Sequence, residues 1–318
     1  MRIVVTGAAG FIASNLIPRL LSDGDVVLGV DNLFLGKKAH LAKALEHPRF
    51  QFREQDLVAF EDTVDLFRAF RPELVWHLAA NSDISYGTAH TDFDLKGGTI
   101  VTYNVLEAMR VSGARQLIFS SSGAVYGEPT VMPTPESYGP LFPISLYAAS
   151  KLACEGLVSA YVHNYDLQAW VFRFGNIVGP NPTHGAIHDF VLKLRKDRSC
   201  LPVLGDGTQS KQYVYVEDCL DGMQHGYRAA REPLNCFNLS AVGHTSVRYM
   251  AERTLAAMGL HSVPIAYSGG PRGWRGDVPV VRLDGTRLAA LGWTPGLSSD
   301  EAVDRAIADT VRQLSPPS

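Results

Sequence analysis

The hydrophobic pattern of the first half of the chain switches between two periods. Residues 2–5 form a short β-rich run that breaks at 7–10, and residues 11–21 then carry apolar side chains at helical spacing. Residues 26–30 make the next apolar run, ending at Asp31. Residues 50–55 alternate weakly, 63–70 read as a helix and 74–78 as a strand. Helix formers fill 99–111, 117–120 is a strand, 147–163 a helix and 169–173 a strand. Strands alternating with helices predict an α/β fold built on a doubly wound parallel sheet with right-handed crossovers.

The texture changes after Gly179, where Pro180, Pro182 and Gly185 loosen the chain. Helices are expected at 189–195, 246–258 and 302–313, short strands at 201–204 and 213–216, a Gly/Pro-rich loop at 269–276 and a frayed tail at 315–318. This predicts a dinucleotide-binding domain over 1–175. A smaller α/β lobe is expected over 176–318, with segments around 207–240 returning to the first domain.

Composition narrows the classes. With 318 residues, 46% hydrophobic and 19% charged, the chain is long enough for a large core and too apolar for bulk disorder. A net charge of −3 carries no basic surplus for nucleic acid or an anionic membrane. Cys154, Cys200, Cys219 and Cys236 are scattered without a CxxC pair. That argues against a zinc ribbon and a disulfide framework and fits a reducing cytoplasm. No apolar stretch reaches the length of about 18 residues that a membrane helix needs. The N-terminal apolar run breaks at Thr6 and Gly7, so it reads as strand, turn and helix rather than as a signal peptide.

Two constellations carry chemistry. Gly7-Ala8-Ala9-Gly10-Phe11-Ile12-Ala13 joins the first strand to the first helix. Glycines there permit close backbone approach to a pyrophosphate, and the helix N-terminus offers N–H groups and a positive dipole end. Asp31 closes the second strand at about the 20-residue separation expected of a carboxylate on a ribose 2′-hydroxyl. Such a carboxylate repels a 2′-phosphate, which favours NAD over NADP. The second constellation is Tyr147-Ala148-Ala149-Ser150-Lys151, whose tyrosine and lysine share a helix face. A tyrosine with its usual pKa near 10 is a poor base; a neighbouring ammonium favours the phenolate. Ser122 follows a strand at the end where a parallel sheet opens its ligand crevice, and its hydroxyl is placed to share a substrate's hydrogen bond with Tyr147.

On these motifs the chain resembles the extended short-chain dehydrogenase/reductases, in particular the NAD-dependent nucleotide-sugar epimerases and dehydratases. The resemblance covers nearly the whole chain. It runs through Thr-Gly-Ala-Ala-Gly-Phe-Ile at 6–12, Val-Asp-Asn at 30–32, Asp-Leu at 56–57, His-Leu-Ala-Ala at 77–80 and the segment 120–127. It continues with Tyr-Ala-Ala-Ser-Lys at 147–151, Arg-Phe-Gly-Asn-Ile-Val-Gly-Pro at 173–180, Gly-Asp-Gly-Thr-Gln at 205–209, Tyr-Val-Tyr-Val-Glu-Asp at 213–218 and Gly-Asp-Val-Pro at 276–279.

The resemblance implies a Rossmann-type first domain, NAD as cofactor and a homodimer. Gly7, Gly10, Phe11 and Ile12 would line the pyrophosphate. Asp31 and Asn32 would take the adenosine ribose, Asp56 and Leu57 the adenine. Leu78, Ala79, Ala80 and Ser120 would lie beside the cofactor, and Tyr147 and Lys151 would contact the nicotinamide ribose. Ser122, Tyr147 and Lys151 would be the catalytic triad. Asn176, Val203, Lys211, Tyr213 and Arg272 would join Ser122 and Tyr147 in holding the nucleotide sugar, with strand 201–204 offering backbone to the base. The paired helices of the dimer would use Val101, Val105, Met109, Leu152, Leu157 and Val158.

Departures from the family pattern sharpen the reading. Ala13 replaces the third glycine of the turn, and Gly98 stands where the pattern has asparagine. Lys211-Gln212 replaces Arg-Asp, giving a point charge without a bidentate fork. Arg272 and Arg275 both flank Trp274, and Arg272 is the expected phosphate ligand. Gly123 and Ala124 replace the acid pair that a 4,6-dehydratase needs, and Ala124 replaces a decarboxylase's glutamate. The chemistry left is 4-epimerisation of a nucleotide sugar through a transient 4-keto intermediate, with the glucose/galactose, glucuronate/galacturonate and N-acetylhexosamine pairs all open. The base is expected to be uracil by family frequency. A reductase or dehydratase, or a catalytically silent NAD- and nucleotide-sugar-binding protein, is the alternative.

Overall fold

In the computed structural model of the chain, which describes residues 1–81, 84–274 and 276–314, the apolar runs of the first half become strands of one sheet. In chain order the elements are β1 (Arg2–Thr6), α1 (Phe11–Ser22), β2 (Val26–Asp31), α2 (Ala42–Leu45), β3 (Phe50–Glu54), α3 (Phe60–Phe70), β4 (Leu74–His77) and α4 (Ile84–Ala89). A π-helical stretch, Leu95–Ile100, leads into α5 (Val101–Ser112). Then come β5 (Gln116–Ser122), α6 (Leu146–Tyr165), β6 (Gln168–Phe174), β7 (Asn176–Val178), α7 (Ala186–Lys196), β8 (Leu201–Val203), β9 (Ser210–Lys211) and β10 (Tyr213–Tyr215). The last are α8 (Val216–Ala229), β11 (Leu234–Leu239), β12 (Thr245–Ser246), α9 (Val247–Ala257), β13 (Ile265–Tyr267), β14 (Val280–Val281), α10 (Thr286–Ala290) and α11 (Ser299–Leu314).

The seven-stranded sheet runs β11-β6-β5-β4-β1-β2-β3. The pairings of β1 with β2 and β4, of β2 with β3 and of β4 with β5 are parallel. The chain moves outward from β1 to β3, then returns to lay β4 on the other side of β1. The strand order therefore reverses at β1 and β4, and their C-terminal ends form the switch point at which such sheets bind ligands. Strand residues Val4, Leu28, Val75, Leu117, Phe119 and Val171 share one core with Phe67 of α3, Val105 and Met109 of α5 and Val158 of α6.

The chain divides into two compact units: Met1–Gly127, Leu141–Arg173 and Met223–Phe237 in the first, and Glu128–Pro140, Phe174–Gly222 and Asn238–Ser318 in the second. A stretch returns to the first unit, as expected around 207–240, but the bounds differ in two places. Segment Glu128–Pro140 belongs to the second unit, and the stretch that returns is Met223–Phe237 rather than 207–240. It returns because β11 adds an edge beside β6: the Ala169 amide donates to the Pro233 carbonyl (2.8 Å), and Trp170 Nε1 to that of Ala230 (3.2 Å). The expected tail at 315–318 lies outside the described residues. Among the described residues, no helix is long and apolar enough to cross a membrane.

Candidate active site

The turn after β1 folds its amides inward. The N–H groups of Ala8, Ala9 and Gly10 donate to the Val30 carbonyl (3.2 Å), Asp31 Oδ2 (2.9 Å) and the Gly7 carbonyl (3.0 Å). Gly7 has φ +68°, and a β-carbon there would fall 2.9 Å from the backbone of Ala79. Only glycine satisfies both the backbone conformation and that close approach. Helix α1 starts immediately after, at Phe11, so the N–H groups of Phe11 and Ile12 lack intrahelical carbonyls, and no acidic side chain stands in that first turn. Ala13 is 1% exposed, which explains why a small residue suffices there. A backbone cradle that a β-carbon would fill, set against a helix N-terminus, fits a dinucleotide diphosphate.

Asp31 is buried, and its carboxylate also accepts the Leu33 N–H at 2.7 Å. Burial raises its pKa against the opposing pull of the two amides. The Asn32 amide donates to Asp56 Oδ2 at 3.3 Å, joining the two exposed residues expected on the adenosine side. Leu57 departs from expectation. Its side chain lies in the core and its carbonyl accepts the Asn104 amide at 2.8 Å, which leaves Asp56 to present polar atoms outward.

A network missed by sequence reasoning sets Leu78 and Ala79 against the turn. Thr6 Oγ1 accepts both their N–H groups at 3.1 Å and meets His77 Nδ1 at 2.7 Å; His77 Nε2 meets Thr102 Oγ1 at 3.0 Å. With two amides already donating to it, the Thr6 hydroxyl donates to Nδ1, and the Nε2–H donates to Thr102. Burial, then the charge of Lys151, push His77 down to about 3, so the ring is neutral. The available signal was a threonine ending one strand and a histidine ending its neighbour. Ala80 follows this segment, half-buried.

Ser122 ends β5, where its Oγ caps a short 3₁₀ turn by accepting the Ala124 N–H at 3.2 Å, and its hydroxyl stands near enough to Tyr147 to pull the phenol's pKa down. Tyr147 sits in the first turn of α6, whose N-cap Ser145 accepts the Ala148 N–H at 3.2 Å. Lys151 is 4% exposed, lies over the Phe119 ring and donates to the Ser120 carbonyl at 2.6 Å. Ser120 in turn donates through Oγ to the His77 carbonyl at 3.3 Å. Burial pushes Tyr147 up to about 12 and Lys151 down to about 8. Lys151 is bonded to a carbonyl, burial dominates at Tyr147, and the Ser122 hydroxyl is the group that pulls its pKa down.

One turn beyond Lys151, Glu155 fixes the helix. Arg173 grips it through Nε (3.0 Å) and Nη2 (2.7 Å), Ser121 Oγ donates to it at 2.5 Å, and Arg173 Nη1 reaches the Tyr126 hydroxyl at 2.9 Å. This bidentate pair ties α6 to β5 and β6, the strand carrying Ser122 and its neighbour.

In the second unit the expected cations converge on Asp277. Lys211 Nζ donates to Asp277 Oδ1 at 2.7 Å and lies over the Trp274 ring. Arg272 donates to the Asp277 carbonyl at 2.6 Å and pairs with Glu128. Asp277 is 3% exposed and its Oδ2 accepts the Gly273 N–H; the Gly-Asp motif alone did not reveal this organising role. Arg275, the other candidate, lies outside the described residues. Gln212 bonds the Ala241 carbonyl and the Leu283 N–H, an internal role that needs no charge. Asn176 donates to the Gln212 carbonyl in the pairing of β7 with β10, and Tyr213 is buried with its pKa raised. Val203 departs from expectation. Its side chain is buried and its carbonyl accepts the Ser268 N–H in the pairing of β8 with β13, whereas the adjacent Leu204 is exposed.

Residues 3–239 match the model of the NAD dependent epimerase/dehydratase family. The UDP-glucose 4-epimerase of Mycolicibacterium smegmatis is 34% identical over 313 residues, 96% of this chain and 97% of that one. The solved UDP-glucose 4-epimerase of Thermotoga maritima with UDP-glucose superposes with a TM-score of 0.88 at 30% identity, over 99% of this chain and 100% of that one. The UDP-glucuronic acid 4-epimerase of Bacillus cereus, solved with UDP-glucuronic acid and NAD, gives 0.87 at 25% identity, over 99% and 100%.

Proposed function

This chain belongs to the NAD-dependent epimerase/dehydratase family, and we propose that it interconverts UDP-sugars differing in configuration at C4, of the glucose/galactose or glucuronate/galacturonate type. The observation that carries this reading is the Ser122–Tyr147 hydroxyl pair, four residues ahead of Lys151 and followed by Gly123 and Ala124. A dehydratase or decarboxylase needs a further acid or base beside the serine, and neither glycine nor alanine moves a proton.

Bound NAD supplies the hydride acceptor and donor at C4. Tyr147 takes the C4 hydroxyl proton and later returns one, and Ser122 holds the same oxygen. Lys151 steadies the charge that develops on the phenol and takes the ribose. Gly7, Gly10, Phe11, Ile12, Leu78, Ala79, Ala80 and Ser120 are assigned to the cofactor, with Asp31, Asn32 and Asp56 on its adenosine. Lys211 and Arg272 are assigned to the diphosphate, with Asn176 and Tyr213 beside it. No net redox change is expected. Incubation with a panel of UDP-sugars should therefore exchange C4 epimers without NADH accumulating. Sustained NADH absorbance would make the protein a dehydrogenase. Binding without turnover would make it a silent member.

We propose further that the protein is a homodimer paired through α5 and α6, but not through the side chains first expected. Val101, Val105, Met109 and Val158 are in the monomer core, and Leu152 and Leu157 are half-buried. The apolar groups exposed on or beside these helices are Ile100, Tyr103, Leu146 and Tyr165. Light scattering should give twice 34.6 kDa, and Tyr103→Glu should halve that mass; a wild-type monomer at micromolar concentration would refute the pairing.

A further inference from the structure

Three aromatic rings from separate segments of the first unit meet one another, and the steps above give them no task. Phe34 stands in the loop after β2 and is 49% exposed. Its ring centroid lies 5.4 Å from that of Tyr86 on α4 and 4.8 Å from that of Phe93, just beyond α4. Tyr86 and Phe93 meet each other at 4.8 Å. All three separations fall in the range that aromatic pairs prefer, with tilted or edge-to-face planes. A half-exposed phenylalanine by itself is ordinary; three rings that converge from two segments are an assembled contact.

Both segments pack on the phosphate turn. The loop after β2 is tied to it through Asp31, whose carboxylate accepts the Ala9 N–H at 2.9 Å and the Leu33 N–H at 2.7 Å. Farther along the same loop, the Lys37 N–H donates to the Ala9 carbonyl at 3.0 Å. A β-carbon on Gly36 would fall 2.9 Å from Ala9 Cβ and from both Asp31 oxygens. Between these ties Leu33 bends the chain at φ +57°, a left-handed conformation uncommon outside glycine, and Phe34 follows directly. On the other side, Leu78 and Ala79 are held against Gly7 by their bonds to Thr6 Oγ1. β2 and β4 are the two neighbours of β1 in the sheet, and both run parallel to it. The segments leaving their C-terminal ends therefore flank the turn that leaves β1. The ring cluster joins these two segments to each other, so the chain closes a circuit around the mouth of the cradle.

We propose that Phe34 is a cofactor-retaining residue: with Tyr86 and Phe93 it straps the chain across the mouth of the phosphate cradle, and NAD enters or leaves only when the rings part. In an epimerisation without net redox change the cofactor must outlast each cycle, and a strap that opens slowly keeps it in place. The proposal rests on NAD as cofactor, and only its last readout rests on the epimerase reading.

The test follows exchange of bound NAD for radiolabelled NAD in NAD-loaded protein, without sugar. Phe34→Ala should speed exchange by about tenfold, the scale of the one or two aromatic pairs it breaks. Phe93→Leu, made from the other side of the cluster, should also speed it. Adding it to Phe34→Ala should bring little more, because both open one contact. Phe34→Tyr keeps a ring and should keep the slow exchange. A strap slows entry and exit alike, so association should quicken together with exchange, and Kd should stay within about threefold of wild type. A ring that merely shapes the site would instead weaken Kd as exchange quickens, with association unchanged. That result, additive effects of the two substitutions, or exchange within about twofold of wild type in Phe34→Ala, would overturn the proposal. If both variants lose NAD altogether, the rings are a packing requirement and the proposal fails. With a turned-over UDP-sugar, Phe34→Ala should lose activity as the reaction proceeds and regain it on addition of NAD. Absence of turnover in the wild type would defeat the epimerase reading, while the exchange rate would still decide the role of Phe34.

Discussion

Tyr147→Phe should lower turnover of a UDP-sugar by about 10²–10⁴-fold, the range lost with a positioned acid–base group, while NAD stays bound. The variant removes one oxygen from a half-buried ring on a helix capped by Ser145 and clamped through Glu155 and Arg173. Neither the cap nor the clamp involves the hydroxyl, so the helix should keep its place. Ser122 keeps the Ala124 N–H. The effect should therefore fall on kcat, with NAD content and thermal unfolding close to wild type. Turnover within about threefold of wild type, well short of that range, would show that another group moves the proton.

Gly7→Val should weaken NAD binding by about 10–100-fold, the equivalent of the 1–3 kcal/mol that a disfavoured backbone conformation costs. Two independent constraints converge on this position. Its φ of +68° is disfavoured for a β-branched residue, and a β-carbon would stand 2.9 Å from the Ala79 backbone. Ala79 cannot retreat freely because its N–H is bonded to Thr6 Oγ1, which also holds Leu78 and His77. Gly10→Ala is the control. Its φ of −76° is ordinary and its nearest neighbour, the Gly7 carbonyl, lies 3.0 Å away, so a smaller loss is expected. Calorimetric titration with NAD measures both, and an unchanged Kd for Gly7→Val would remove the cradle from the binding site.

The contrast between these positions shows which features were local. Gly7, Asp31, Tyr147 and Lys151 were legible because their signals are short: a glycine turn between a strand and a helix, a carboxylate at a strand end, and two side chains one helical turn apart. The seven-stranded sheet was legible for the same reason in its first six strands, each of which carries its own period. β11 was missed because Asn235 and Asn238 interrupt its apolar run, and α8 because it follows β10 without a break.

The sequence by itself determined the first six strands of the large sheet and the main helices between them, the glycine turn, the Tyr-Lys pair and the family, all set by residue type at separations within a few turns of chain. Tertiary structure alone decided which partner each buried group received. Thr6 meets His77 across 71 residues, Ser150 meets Asp94 across 56, and Lys211 meets Asp277 across 66. It also decided that Val105 and Met109 face the core while Tyr103 faces outward, since an apolar stripe does not say which neighbour covers it. The chemistry of Tyr147 depends on the same information. Its pKa follows from burial and from the Ser122 hydroxyl, and Lys151 is turned toward a carbonyl. Desolvation and hydrogen bonding are properties of what surrounds a group in space, and spacing along the chain does not encode them.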